Sequence, residues 1–182
     1  GKDPAGTIGW HKYRQDRIVS SRLTLLSWEN PKVTKDLLRL YKANRLPTTA
    51  DVDAALESAW GFNFYLPRHL LIMRFPSAFA QRYVHQTERH ITFQPIAYKA
   101  LLDLVKQEIK EPTVCDRILN ILSQSNPNDV YYRAWIRLGD INILMRLRDW
   151  RPKGEVIAPL EMRQQMQEEA EAELKHYKKR LR

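Results

Sequence analysis

A basic residue followed by apolar residues two, three and five positions later occurs four times along this chain. The matches are Lys35-Leu37-Leu38-Leu40, Arg68-Leu70-Leu71-Met73, Lys99-Leu101-Leu102-Leu104 and Arg133-Trp135-Ile136-Leu138. By subtraction of residue numbers they are 33, 31 and 34 positions apart. A period of this size predicts helix-turn-helix units, each too small to bury its own apolar face, stacked into a solenoid. No segment sustains period-two alternation, so essentially no sheet is expected. The expected fold is all-α: a helical-hairpin solenoid of about four degenerate repeats with flanking N- and C-terminal helices.

The punctuation between the apolar runs places the elements. Pro4, Gly6 and Gly9 oppose helix in the lead-in, Trp10 to Trp28 reads as a first helix, and Asn30-Pro31 ends it. The first repeat has helices over Val33–Asn44 and beyond Thr49 or Asp51, either of which can cap. The second has them over Arg68–Phe75 and from Ser77 to about Glu88, with Pro76 between. In the third, Pro95 opens one helix and Glu111-Pro112 opens another that runs through Leu122. The fourth takes Val130–Leu138 and Ile141–Asp149, with Gly139-Asp140 as the turn. The domain reading is therefore a lead-in and first helix over 1–31, a repeat array over 32–154 and a charged C-terminal helix over 155–182.

That last helix changes character. Acids come first (Glu161, Glu168, Glu169, Glu171, Glu173) and bases last (Lys175, Lys178, Lys179, Arg180, Arg182), which complements a helix dipole. Leu160, Met162, Met166, Ala170 and Leu174 form only a thin apolar stripe. A solvated terminal helix, a cap on the solenoid and an arm that orders on a partner are all consistent with it.

Composition narrows the class. At 43% hydrophobic residues the 182-residue chain can bury a core, and five Trp and eight Tyr argue for packing. The single cysteine, Cys115, excludes an internal disulfide and a cysteine-based zinc site, which fits a reducing compartment such as cytosol or mitochondrial matrix. No run approaches the ~20 apolar residues of a membrane span, so no direct membrane insertion is expected. The formal charge is +9 and is spread along the chain: +3 over residues 1–60, +5 over 61–158 and +1 over 159–182. A spread basic balance suits a nucleic-acid binder, an acidic protein partner or a mitochondrial protein.

No motif carries catalysis. There is no Gly-rich phosphate loop, G-x-S-x-G elbow or H-E-x-x-H pair. His85 and His90 flank Glu88 at a spacing poor for shared ligation on a helix, so they read as surface histidines. Cys115, near the start of a helix with Ile118 and Leu119 following, reads as a packed structural thiol. No cofactor is implied and no catalytic or metal-binding residue is assigned. The segment Trp60–Leu66 carries four aromatics, Trp60, Phe62, Phe64 and Tyr65, which serve either as packing between repeats or as an exposed anchor for a protein partner. With Arg133 and Arg137 they make up the candidate partner-binding residues.

The repeat spacing and the short first helices over about 32–150 resemble degenerate pentatricopeptide- or tetratricopeptide-like arrays. Pentatricopeptide-type proteins read one base per repeat with small polar or acidic residues in register. Here the equivalent positions are mixed (Thr34 and Asp36, Pro67 and His69, Tyr98 and Ala100, Tyr132 and Ala134), and no code emerges. Together with Gly9-Trp10-His11-Lys12-Tyr13-Arg14, the basic balance and the length, this resembles the extra pentatricopeptide-like small subunits of euglenozoan-type mitochondrial F1-ATPases. The resemblance implies a non-catalytic structural subunit of the ATP synthase in the mitochondrial matrix. It would bind the outside of the F1 alpha subunit, with several copies per complex. The alternative is an organellar RNA-binding repeat protein or mitoribosomal subunit. Clustering of Arg133, Arg137, Arg146 and Arg148 on one surface would favour that alternative. Alternation with acids such as Asp103 and Asp140 would favour a protein partner.

Overall fold

The computed structural model describes residues 8–9, 27–60, 63–87 and 90–179. The expected first helix lies almost wholly outside them, as do Gly61, Phe62, Glu88 and Arg180–Arg182. The first helices among the described residues are two short ones, α1 (Lys35–Lys42) and α2 (Thr49–Glu57). Thr48, not Thr49 or Asp51, caps α2. Its side chain accepts from the Asp51 backbone N–H while the Asp51 carboxylate accepts from the Thr48 N–H, a reciprocal capping box. Leu37 of α1 joins Ile8 and Val33 in a small cluster of its own, and α2 buries no residue fully.

The next segment departs from the expected solenoid. Arg68–Phe75 is a strand, β1, and so is Val130–Arg137, β3; both lie where the first helix of a repeat was expected. Gln94–Ile96 forms β2 and Glu155–Ala158 forms β4. The described residues thus make a mixed α/β fold of seven helices and a four-stranded antiparallel sheet, and the all-α expectation fails. The reason lies in burial. In β1, Leu70, Leu71, Ile72 and Met73 are all buried, two on each face of the sheet. A strand covered on both faces reads as a continuous apolar run and shows no alternation. In β3, Val130, Tyr131, Tyr132, Trp135 and Ile136 are the β-branched and aromatic types that favour a pleated surface.

The remaining helices lie close to the expected places: α3 (Ser77–Tyr83), α4 (Tyr98–Glu108), α5 (Pro112–Ser123), α6 (Ile141–Arg148) and α7 (Leu160–Lys179). Pro112 opens α5, and the Glu111 carboxylate accepts from the backbone N–H groups of Thr113 and Val114 at 3.2 and 2.8 Å. Asp140, fully buried, caps α6 through Asn142 and also accepts from the Asn63 backbone N–H at 2.9 Å.

The strand order is β2-β3-β1-β4, every neighbour antiparallel. Two β-α-β units therefore interleave, β1-α3-β2 around β3 and β3-α6-β4 around β1, which is the split arrangement of ferredoxin-like folds. One face of the sheet (Leu71, Met73, Phe75, Tyr132, Ala134, Ile136) packs against Ala80 of α3, Ile143, Leu144 and Leu147 of α6, and Met162 and Met166 of α7. The α4–α5 hairpin is inserted between β2 and β3 and lies on the opposite face, where Leu101, Val105, Ile118 and Leu122 cover Leu70, Ile72 and Tyr131. Leu71→Ala, at a side chain with no exposure, is expected to cost about 2–5 kcal/mol. The measurement is the urea midpoint at unchanged m-value.

Candidate anion-binding face

The hairpin covers one end of that second face and leaves the other open. Across the β1–β3 ladder, Tyr131 opposes Arg74, Arg133 opposes Ile72, Trp135 opposes Leu70 and Arg137 opposes Arg68. Period two places Tyr131, Arg133, Trp135 and Arg137 on one face of β3. Tyr131 is buried; Arg133, Trp135 and Arg137 are half-buried, and Arg68 is exposed. That end is thus a tryptophan, half-buried against the second core, surrounded by three arginines.

Each arginine is held differently. Arg68 lays its guanidinium over the Trp135 ring, Cζ 4.2 Å from the centroid, a cation–π contact. Arg133 donates from Nη2 to Gln94 Oε1 at 2.9 Å. Arg137 donates from Nη1 to the Leu66 carbonyl at 3.1 Å. Among the described residues none of the three has a carboxylate within ion-pair distance, whereas Arg74 meets Asp129 and Glu155, Arg163 meets Glu155, and Arg148 and Arg151 share Glu169. Burial, and then the charge of Arg68, push the Arg137 guanidinium below its ordinary value. It stays a cation nonetheless. Like charges at directly opposed strand positions are unfavourable, so Arg68 and Arg137 leave an uncompensated positive field on this face.

Sequence reasoning found part of this site. Arg133 and Arg137 do share a surface, but Arg146 and Arg148 belong to α6 on the opposite side of the sheet, with Arg148 tied to Glu169. Asp140 is a buried helix cap and Asp103 lies exposed on α4, so neither alternates with the two β3 arginines. Arg68, Trp135 and Gln94 were missed. A period-two reading of residues 131–137 was the signal that would have found Trp135.

The aromatic segment divides. Trp60 is 2% exposed and packs among His90, Phe93 and Trp150, with no hydrogen-bond partner for its Nε1 among the described residues, so it is core and not an exposed anchor. Phe64 is half-buried edge-on to Tyr65, which is exposed and donates to Asn63 Oδ1 at 3.3 Å. Phe62 lies outside the described residues. The Leu66 carbonyl that ends their segment holds Arg137.

His90 is pushed below its ordinary value chiefly by burial; its Nε2 meets the Glu57 carbonyl and its Nδ1 meets Thr92 Oγ1. Cys115 is half-buried against α4, its Sγ 4.0 Å from the Val105 carbonyl oxygen. Among the described residues no three His, Cys, Asp or Glu side chains are grouped to hold a metal, and no helix is long and apolar enough to cross a membrane. Compared with known proteins, the chain matches no family model, no curated protein and no solved structure.

The paired arginines make their own prediction. Hydrogen bonds from Arg148, with lesser help from Arg151, hold the Glu169 carboxyl below its ordinary value. A carboxylate lowered by folding stabilises above its unfolded value, and that stabilisation is lost as pH falls through the lowered one. Glu169→Gln is expected to reduce Tm at neutral pH, and the gap to the parent chain should close in acid, as read by thermal melts across pH.

Proposed function

We propose that this chain is a non-catalytic binding module that takes single-stranded nucleic acid on the open end of its sheet. The observation that carries the reading is the arginine trio around Trp135, lacking carboxylate partners among the described residues. Arginine supplies phosphate contacts, and an aromatic ring supplies a platform on which any base can stack. Some RNA-binding modules use four-stranded sheets this way, with aromatics on the central strands. Trp135 lies on β3, one of the two central strands here. A base would displace the Arg68 guanidinium from the indole and leave it free to meet the adjoining phosphate. With the α4–α5 hairpin over the rest of the face, the stacking platform is a single residue, so selection comes from single-strandedness more than from sequence.

A protein partner is the second reading. It is favoured by Ile141 and Met145, one helical turn apart on α6 and each more than half exposed. Attachment to an F1-ATPase head in the mitochondrial matrix is one form of that reading, although the helical array that suggested it is replaced in part by the sheet.

Fluorescence anisotropy with short labelled oligodeoxythymidine and oligouridine tests the proposal. Binding should weaken as salt rises from about 50 to about 200 mM. Trp135→Ala should weaken it by about 5- to 150-fold, the equivalent of one lost stack. Arg68→Gln with Arg137→Gln should flatten the logarithmic salt slope by about 1.4. Absence of binding at low salt, or equal binding by these variants with unchanged circular dichroism, would overturn the reading. Capture of F1 subunits from a mitochondrial extract would then favour the second.

A further inference from the structure

The 20-residue helix α7 packs into the body through its first half, and an ion pair from Arg151 Nη1 to Glu173 Oε2 at 3.7 Å ties it once more beyond that. Met162 and Met166 are buried, and Arg148 and Arg151 clamp Glu169 beside them. From Ala170 to Lys178 every residue is exposed. The apolar stripe does not stop where the body stops. Met162, Met166, Ala170, Leu174 and Tyr177 follow one another at steps of four, four, four and three, so they stay on one side of the helix. Leu174 is 50% exposed and Tyr177 64%. The body therefore leaves a short apolar seam uncovered, and the flanks of that seam carry opposite charges in order, Glu168, Glu171 and Glu173 ahead of its centre and Lys175 and Lys178 after it.

We infer that this seam is covered by the same seam of a second copy of the chain, the two helices running antiparallel. Ala170, Leu174 and Tyr177 occupy the alternating core positions of a heptad pattern. Antiparallel pairing about a two-fold axis sets Leu174 of one copy against Tyr177 of the other. The same register sets Lys178 against Glu171, twice over by symmetry. The acid-first, base-last order is self-complementary only in this direction along its whole length, and it keeps the two bodies at opposite ends of the pair. The seam is short, so the association belongs to the weak, reversible class of interfaces.

Sedimentation equilibrium of the full chain tests it. The mean mass should rise from the monomer toward the dimer between about 10 and about 500 µM, the range in which small interfaces assemble. Leu174→Glu, at an exposed position that leaves the fold intact, should abolish the rise. Glu171→Lys alone and Lys178→Glu alone place like charges opposite one another and should each weaken self-association at least severalfold. An equimolar mixture of these two variants restores opposite charges at both contacts and should associate more strongly than either alone. A chain that stays monomeric throughout, a Leu174→Glu variant that associates like the parent, or a mixture no stronger than its components would overturn the inference.

Discussion

Both cores of the sheet rest on the eight-residue antiparallel ladder between β1 and β3. Among the described residues it is the only place where two long strands meet, and the other two strands of the sheet attach to its outer edges, β2 to β3 and β4 to β1. Its side chains supply the floor of both cores: Leu71, Met73, Phe75, Tyr132, Ala134 and Ile136 on one side, Leu70, Ile72 and Tyr131 on the other. A shift of one residue would exchange the two faces, carrying Arg133 and Arg137 under α6 and exposing Ile136. The register that builds the core is therefore the register that brings the arginines together outside it.

The open end of the second face runs against the logic of the rest. Around β4 and α7 the arginines are paired: Glu155 sits between Arg74 and Arg163, and Glu169 between Arg148 and Arg151. At the end of the ladder it places Arg68 opposite Arg137 and adds Arg133 two steps away, with an aromatic ring and a glutamine as neighbours. Local choices that oppose stability are expected where the surface serves something other than folding. The aromatic segment after α2 shows the reverse case. Trp60, conspicuous in the sequence, has been absorbed by the core beside Trp150 and Phe93.

Much of the helical structure was legible and the sheet was not, for one physical reason. Pro112 behind Glu111 and Asp140 ahead of a leucine-rich run are local signals, and α5 and α6 begin where those residues say. Strand pairing is non-local. The run Leu70–Met73 is apolar at every position because both faces are covered, and nothing within it separates a doubly buried strand from one turn of buried helix. The recurring offset from a basic residue to apolar ones was therefore real as a pattern, yet at Arg68 and Arg133 it marked strand starts and strand centres, and at Lys35 and Lys99 it marked helices. Of the site, Arg133 and Arg137 were visible as basic residues, while Arg68 and Trp135 needed the ladder to bring them across.

The α4–α5 hairpin occupies the interval between β2 and β3, inside the chain that joins the two halves of the central ladder. The residues that pair in that ladder are distant in sequence, 55 positions apart at Phe75 and Val130 and 69 at Arg68 and Arg137, by subtraction. Closing such a loop is entropically slow, and folds dominated by contacts of this range assemble later than those built from local ones. A hairpin of two adjacent helices draws on local contacts alone. If it forms first, it shortens the effective loop and offers Leu101, Val105, Ile118 and Leu122 as a template for Leu70 and Ile72. The insertion that narrows the open face then also serves as the nucleus on which the strands find each other.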